Sequence, residues 1–286
     1  MSQAPAPDTF LSGETGHVAG VRQTLGRSVR DRLLDRRLRR MRTQLDELAA
    51  STPQRLVLAL SVYRPDSRHI AAATAELFGT RHEIGMALAS TGEPIPALAS
   101  NTLASHLHGG KFQNLNALLQ RTLGTEFDWL LVIDDDVDLP EHFLDRFLAL
   151  CEHFELALAQ PAQTLRSHAA WRVTRRRPDS LVRETHFVEI GPVTAFRKHV
   201  AAALTPFPEL DYGWGLDLHW AALAARNGWR LGVVDAVPVR HEHSPVAAAY
   251  RHEDAIREAR SFLTGRPFVT AAEAQQTVST HRTLDR

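Results

Sequence analysis

The sequence predicts an α/β fold, a mostly parallel sheet with helices on both faces. Three observations predict it. Short apolar runs at 55–62, 83–89 and 129–133 have strand length and little alternation, as strands buried on both faces do. Stretches with apolar residues at spacings of three and four separate these runs, and strand–helix alternation implies parallel strands. The run 129–133 stops in Asp134-Asp135-Asp136 and is followed by Pro140 and a helical pattern, which puts carboxylates at the carboxyl edge of the sheet.

Composition fits this class. The chain has 286 residues, 44% hydrophobic and 23% charged, enough for one large core. Its formal net charge is zero, so nothing global points to nucleic acid as a partner. Cys151 is the only cysteine, which excludes an internal disulfide and a cysteine zinc cluster. No apolar run approaches the roughly 18 residues that a membrane span needs, and the first residues lack an apolar signal core. The expected location is the cytoplasm, with the inner face of the membrane as an option.

The elements follow in order. Residues 1–19 are small and polar with Ala4-Pro5-Ala6-Pro7, and read as disordered. In 20–51, Leu34, Leu38, Met41, Leu45 and Leu48 form the apolar stripe of a basic amphipathic helix. Its other faces carry Arg36, Arg37, Arg39, Arg40 and Arg42. Such a helix packs across its own domain, against a second copy, or on a membrane surface. Residues 52–245 read as the catalytic domain. Strand 55–62 and turn 63–66 precede a helix over 69–78; strand 83–89 leads into the polar loop 90–94. The pattern at 98–107 fits neither type. Gly109-Gly110-Lys111 opens a helix running through Leu118, Leu119 and Leu123. After the acidic strand come a helix at 141–152 and a strand near 155–160.

Residues 163–185 are irregular, and 171–178 read as a basic, exposed, mobile loop. Residues 187–197 look like strand–turn–strand, 198–204 like a short helix. A glycine-hinged loop, 211–217, leads into helix 216–227, which Asn227-Gly228 closes. Residues 229–234 are the last core strand, and 246–286 a helical extension with a weakly patterned tail.

Four constellations carry chemistry. Adjacent carboxylates repel, and a hard divalent cation cancels that repulsion. A calcium loop of the EF-hand type is excluded, because counting from Asp134 its glycine position is Leu139. A phosphatase of the haloacid dehalogenase type expects Thr or Ser and an apolar residue after the acidic pair, where Val137-Asp138 stand. An Asp-x-Asp site for a nucleotide diphosphate fits, its cation acting as Lewis acid. Gly109-Gly110-Lys111 suits phosphate, since glycines let the backbone approach and a helix N-terminus favours anions. Asp217 starts a helix behind Gly213 and Gly215, and could act as general base on a hydroxyl, with Tyr212, Trp214 and Trp220 as apolar faces for a sugar. His241 and His243 alternate, so both can face one side and add nitrogen to a Mn²⁺ site. Taken singly, each motif is also explained by a solvated turn or a helix cap.

In this order, the pieces resemble the GT-A glycosyltransferases, especially family 2-like enzymes, over about 55–245. Gly109-Gly110-Lys111 with Asn114 and Asn116 is similar to the loop and helix before the family's metal motif. Residues 133–140 are similar to its Asp-x-Asp strand end. Gly215-Leu216-Asp217 resembles the later x-Glu-Asp position, with Leu216 in place of the usual Glu.

The resemblance implies a GT-A type, Rossmann-like sheet and a metal-dependent, inverting transfer of a sugar from a nucleotide-diphosphate sugar to a glycan, lipid-linked or small-molecule hydroxyl. It implies Asp217 as base, and Mn²⁺ or Mg²⁺ on Asp136 with His241 or His243. It implies donor contacts from Asp134, Asp135, Lys111, Asn114, Tyr63 and Ser90, with the base and ribose held at the strand ends Val62 to Asp66 and Ser90 to Gly92, and acceptor contacts from Trp214, Gly215 and Glu189. The other readings are a nucleotidyltransferase, which expects a glycine-rich loop where Tyr63-Arg64-Pro65-Asp66 stand, and a non-catalytic sugar-nucleotide or glycan-binding domain.

Overall fold

The computed structural model describes residues 4–12, 21–167, 169–241 and 250–285. The parallel half is built from β1 (Leu56–Tyr63), β2 (Glu83–Ser90), the short β3 (Thr102–Ala104) and β4 (Trp129–Ile133). Helix α2 (Ile70–Phe78) and helix α3 (Lys111–Arg121) make the crossovers. β1 pairs in parallel with β2 on one side and β4 on the other, with Leu58 opposite both Gly85 and Leu130. The second half contains α4 (Phe143–His153), β6 (Leu158–Gln163), β7 (Val182–Thr185), β8 (Val193–Arg197), α5 (Lys198–Leu204), α6 (Leu216–Asn227) and β9 (Leu231–His241). A two-residue β5 (Val137–Asp138) follows the acidic turn, and α7 (His252–Leu263), α8 (Ala271–Ala274) and β10 (Thr277–His281) close the chain. The strand order is β10-β7-β9-β6-β8-β4-β1-β2-β3. β8 runs antiparallel between β4 and β6, and β7 antiparallel between β9 and β10. The remaining pairs along this order run parallel, and off it β5 pairs antiparallel with β9.

Period-two burial explains the runs without polar alternation. Leu58, Leu60, Leu130 and Val132 point into the core shared with α3 and α6. Their neighbours Val57, Ala59, Trp129, Leu131 and Ile133 point into the opposite core, with α4 and the expected stripe of Leu38, Met41, Leu45 and Leu48. These last residues belong to α1 (Val21–Ser51), which lies across α4 within the same chain. Its outward face leaves Val29 and Leu33 exposed among Arg30, Arg32, Arg36, Arg39 and Arg40. No helix among the described residues is long and apolar enough to cross a membrane.

Several expectations change. Residues 1–19 do not read through as disordered: Phe10 is 3% exposed in the main core, behind a 3₁₀ turn at Pro7–Thr9. The strand–turn–strand over 187–197 is only β8 in its second half; the first strand lies earlier, at β7. The basic loop is pinned, not mobile. Arg176 is buried on Asp31 (3.3 Å) and Asp35 (2.7 Å) of α1, and Arg175 donates to the carbonyls of Leu165 and Ser167. Arg183 and Asp235 form a fully buried pair at 2.7 Å, with Arg183 also donating to the carbonyls of Val173 and Arg175. Charge on those arginines is spent inside the fold, where sequence patterning shows only exposed-looking residues. The terminal helix begins at His252, and residues 242–249 lie outside the described set.

Candidate active site

The site is made by one long strand. Pro238 looks like a stop, but β9 continues through it to His241. Proline lacks a ladder donor and is tolerated at irregular pairing; here the β6–β9 register shifts between Pro161 and Gln163. Past that shift β9 pairs with β5, Val137 opposite His241. This pairing sets His241 Nε2 3.0 Å from Asp136 Oδ1. One ligand atom from each of Asp134, Asp136 and His241 lies within 4.8 Å of the others. The second ring nitrogen of His241 is buried without a partner among the described residues. A buried imidazole nitrogen beside two carboxylates suits Mn²⁺ or a similar cation.

Charges there are mutually compensated. Burial works against ionisation of Asp136, yet the hydrogen bond and charge of His241 hold its carboxyl below the usual range. Burial likewise opposes charge on His241, and Asp136 overcomes it, raising the imidazole pKa. Burial raises Asp134, with Lys111 opposing and Asp136 adding to the rise. Lys111 Nζ reaches Asp134 Oδ1 at 2.5 Å and also donates to the Ile190 carbonyl at 2.7 Å. Gly110 caps the first turn of α3 so that Lys111 can reach; a Cβ there would lie 2.5 Å from the Leu210 carbonyl oxygen.

Asp134, Asp135, Asp136 and His241 line a cavity of about 710 Å³, together with Lys111, Asn114, Glu189, Trp214, Gly215 and Asp217. Asp217 sits in the first turn of α6 behind the left-handed Gly215 (φ 85°) and is 5% exposed. Burial, then the Glu189 carboxylate, push its pKa up to about 8, although the N–H groups of Leu218, Asp217 and Ile190 favour the ionised form. Glu189 is raised by burial to about 7 and is held by Gln163 Nε2 (2.8 Å) and Thr174 Oγ1 (3.1 Å). The loop before Asp217 is clamped from α7, where the Glu258 carboxylate accepts the N–H groups of Asp211, Tyr212 and Gly213.

No family profile matches the sequence, and no curated protein does. Solved structures do match the fold. A mannosyltransferase from Pyrobaculum calidifontis, in complex with GDP-mannose and Mn²⁺, superposes with a TM-score of 0.51 at 14% identity, over 85% of this chain and 73% of that one. Residues 1–349 of S. aureus TarS, in complex with UDP-GlcNAc, give 0.50 at 15% identity, over 69% of this chain and 62% of that one. A mycobacterial protein gives 0.51 at 15% identity, over 78% and 79%. The chain has the GT-A glycosyltransferase fold.

In this GT-A fold, most of the residues picked from the sequence converge. Asp134, Asp135, Asp136, Lys111, Asn114, Glu189, Trp214, Gly215, Asp217 and His241 share the cavity. His243 lies outside the described residues. Tyr63 and Ser90 do not reach the cavity. Both are fully buried: the Tyr63 hydroxyl pairs with Thr102 Oγ1 at 2.8 Å, and Ser90 Oγ accepts from Gly92 N–H. Alternate strand residues face opposite ways, so their neighbours Val62, Arg64 and Thr91 line the cavity instead. Trp220 is core, set among Phe112, Phe196 and Phe207, and offers no sugar face. Asn116 ties the chain at Phe207 through both its amide atoms.

The strand ends expected at the nucleotide, 62–66 and 90–92, do reach the cavity, but Arg64 was not singled out within them; its guanidinium grips Asp135 at 3.0 and 3.2 Å while its backbone N–H adds a third bond. Sequence reasoning also missed Trp171, Tyr250 and the segment Phe10-Leu11-Ser12, all on the cavity wall. A lone arginine after a strand carries no pattern that could have flagged it.

Proposed function

We propose that the protein transfers a hexose-type sugar from a nucleotide-diphosphate sugar to a hydroxyl acceptor, with inversion at the anomeric carbon. The observation that carries this reading is the meeting of Asp134, Asp136 and His241 in the cavity that also holds Asp217. The nucleotide lies along Val62, Arg64, Thr91 and Asn114, at the ends of β1 and β2 and the start of α3. Asp136 and His241 would hold Mn²⁺ or Mg²⁺, with Asp134 beside them. When bound, that cation offsets negative charge on the departing diphosphate. Lys111 and the backbone around Gly109 and Gly110 add positive potential on the same side.

Asp217 removes the acceptor's hydroxyl proton as the oxygen bonds to the anomeric carbon. The bond from that carbon to the diphosphate breaks, and its electron pair leaves with the diphosphate. A carboxylate whose pKa is raised to about 8 is a stronger base than a free one, provided it is ionised when the acceptor arrives. Trp214, Gly215 and Glu189 flank the acceptor. The P. calidifontis mannosyltransferase bound to GDP-mannose and Mn²⁺ supports this assignment by its fold.

Calorimetric titration of UDP and GDP, with Mn²⁺ and with chelator, tests the reading. Binding that requires Mn²⁺, followed by nucleotide release from UDP-glucose, UDP-GlcNAc or GDP-mannose, is the expected result. Equal affinity in chelator, or no binding of either nucleotide, overturns it.

A further inference from the structure

The N-terminal segment is part of the cavity and not an appendage. Phe10 N–H and Leu11 N–H both donate to the Pro7 carbonyl, and Arg260 Nε of α7 donates to the Pro5 carbonyl at 3.0 Å. The turn Pro7–Thr9 packs on α8, and α8 packs on α6, the helix that begins beside Asp217. Gln275, just after α8, accepts the Val173 N–H, next to Trp171. Through these contacts Phe10, Leu11 and Ser12 are tied to α6, the helix that carries Asp217, and join the lining of the cavity.

The chemistry of that side is uneven. Phe10, Leu11, Trp171, Trp214 and Tyr250 present apolar or aromatic surface, and Trp214 Nε1 already donates to the Tyr250 hydroxyl at 2.9 Å. Its buried acids are Glu189 and Asp217. Every cation lining the cavity among the described residues is committed to the acidic turn: Arg64 to Asp135, Lys111 to Asp134, His241 to Asp136. A phosphate or carboxylate near the reactive hydroxyl would face the acidic side chains of Glu189 and Asp217 with no free cation among the described lining residues, at a cost that grows in a low-dielectric site. An apolar group there displaces water from apolar walls, which favours binding in proportion to the area covered.

We propose that residues 10–12 complete an acceptor subsite for an uncharged hydroxyl compound carrying an apolar chain, and that this segment selects the acceptor. The proposal rests on the glycosyl-transfer reading for its name, but its binding chemistry is testable without a donor.

The probes are octyl β-D-glucoside below its micelle concentration, methyl β-D-glucoside and glucose 6-phosphate. Binding is followed by calorimetry and by the change in total tryptophan fluorescence, since Trp171 and Trp214 of the five tryptophans line the cavity. Wild type should bind the octyl glucoside at least tenfold tighter than the methyl glucoside, and glucose 6-phosphate least of all. Leu11→Asp, at a half-buried position that should leave the fold standing, should lose most of the octyl preference while UDP or GDP binding with Mn²⁺ stays intact. A milder variant, Leu11→Ala, should fall between the two. Equal affinity for octyl and methyl glucosides, or an unchanged preference in folded Leu11→Asp, overturns the proposal. Tight glucose 6-phosphate binding overturns it too. Octyl preference without any nucleotide binding would keep the subsite and remove the transferase reading.

Discussion

His241 Nε2 lies 3.0 Å from Asp136 Oδ1, and the two residues come from opposite halves of the chain. The pair exists because β9 runs on past its register shift against β6, still paired there at Val239, and then pairs with β5. His241→Ala should weaken Mn²⁺ binding by at least the roughly 10–100-fold that loss of a supporting group costs a metal site. Asp136→Ala should do the same and abolish metal-dependent nucleotide binding. Calorimetry with Mn²⁺ reads both; affinities equal to wild type would remove these residues as ligands.

Asp217→Asn keeps the size and most of the polarity of the side chain but cannot accept the proton. Nucleotide affinity should stay within a factor of a few, and transfer should fall by about 10²–10⁴-fold, the range for losing a general base. Wild-type turnover would exclude the role.

The raised pKa of Asp217 sets two pH dependences of known sign. Transfer needs the ionised form, so its rate should rise with pH, reach half its maximum near 8 and level off above that. Stability runs the other way. A carboxyl with a folded pKa above its unfolded value contributes stability that is full below the unfolded pKa, about 4, and is lost as pH rises through about 8. In ligand-free protein, the Tm of Asp217→Asn should therefore gain on wild type between about pH 5 and pH 8. A constant gap across that window would show that Asp217 ionises freely.

Gly191 touches the donor side directly. A Cβ there would lie 2.5 Å from Asp134 Oδ2 and 3.1 Å from Lys111 Nζ. Gly191→Ala must push the Lys111–Asp134 pair aside. Nucleotide affinity should drop about tenfold, an order-of-magnitude expectation for a displaced charged contact, with a Tm close to wild type. An unchanged Kd would show that this pair does not position the donor.

Arg183 and Asp235 are both buried, and each satisfies the other. Arg183→Met leaves Asp235 charged in the core and should destabilise by about 3–5 kcal/mol, read as a lower urea midpoint. The double variant Arg183→Met, Asp235→Leu should recover much of that loss.

What the sequence revealed follows from period and position. Runs at β1, β2 and β4 were legible because strands covered on both faces need apolar residues throughout. The acidic turn, Gly110 before Lys111 and Gly215 before Asp217 were legible because each sits at a boundary between element types. Tyr63 and Ser90 misled by one residue, the distance that turns a side chain to the other face. The last strand reads only as far as residue 234 in the sequence, since nothing local says that β9 runs through Pro238 and a register shift to His241. Phe10 was hidden by its setting of small and polar residues; one buried aromatic anchors a segment that composition alone describes as loose. The arginines at 175, 176 and 183 look exposed in sequence because their partners, Asp31, Asp35, Asp235 and several carbonyls, come from distant elements.

Ile190 has a consequence of its own. Its carbonyl takes the Lys111 ammonium, while its N–H favours the charged form of Asp217. One amino acid is thus tethered to both shores of the cleft. A substitution that shifts this residue therefore disturbs an ammonium and a carboxylate on facing banks at once.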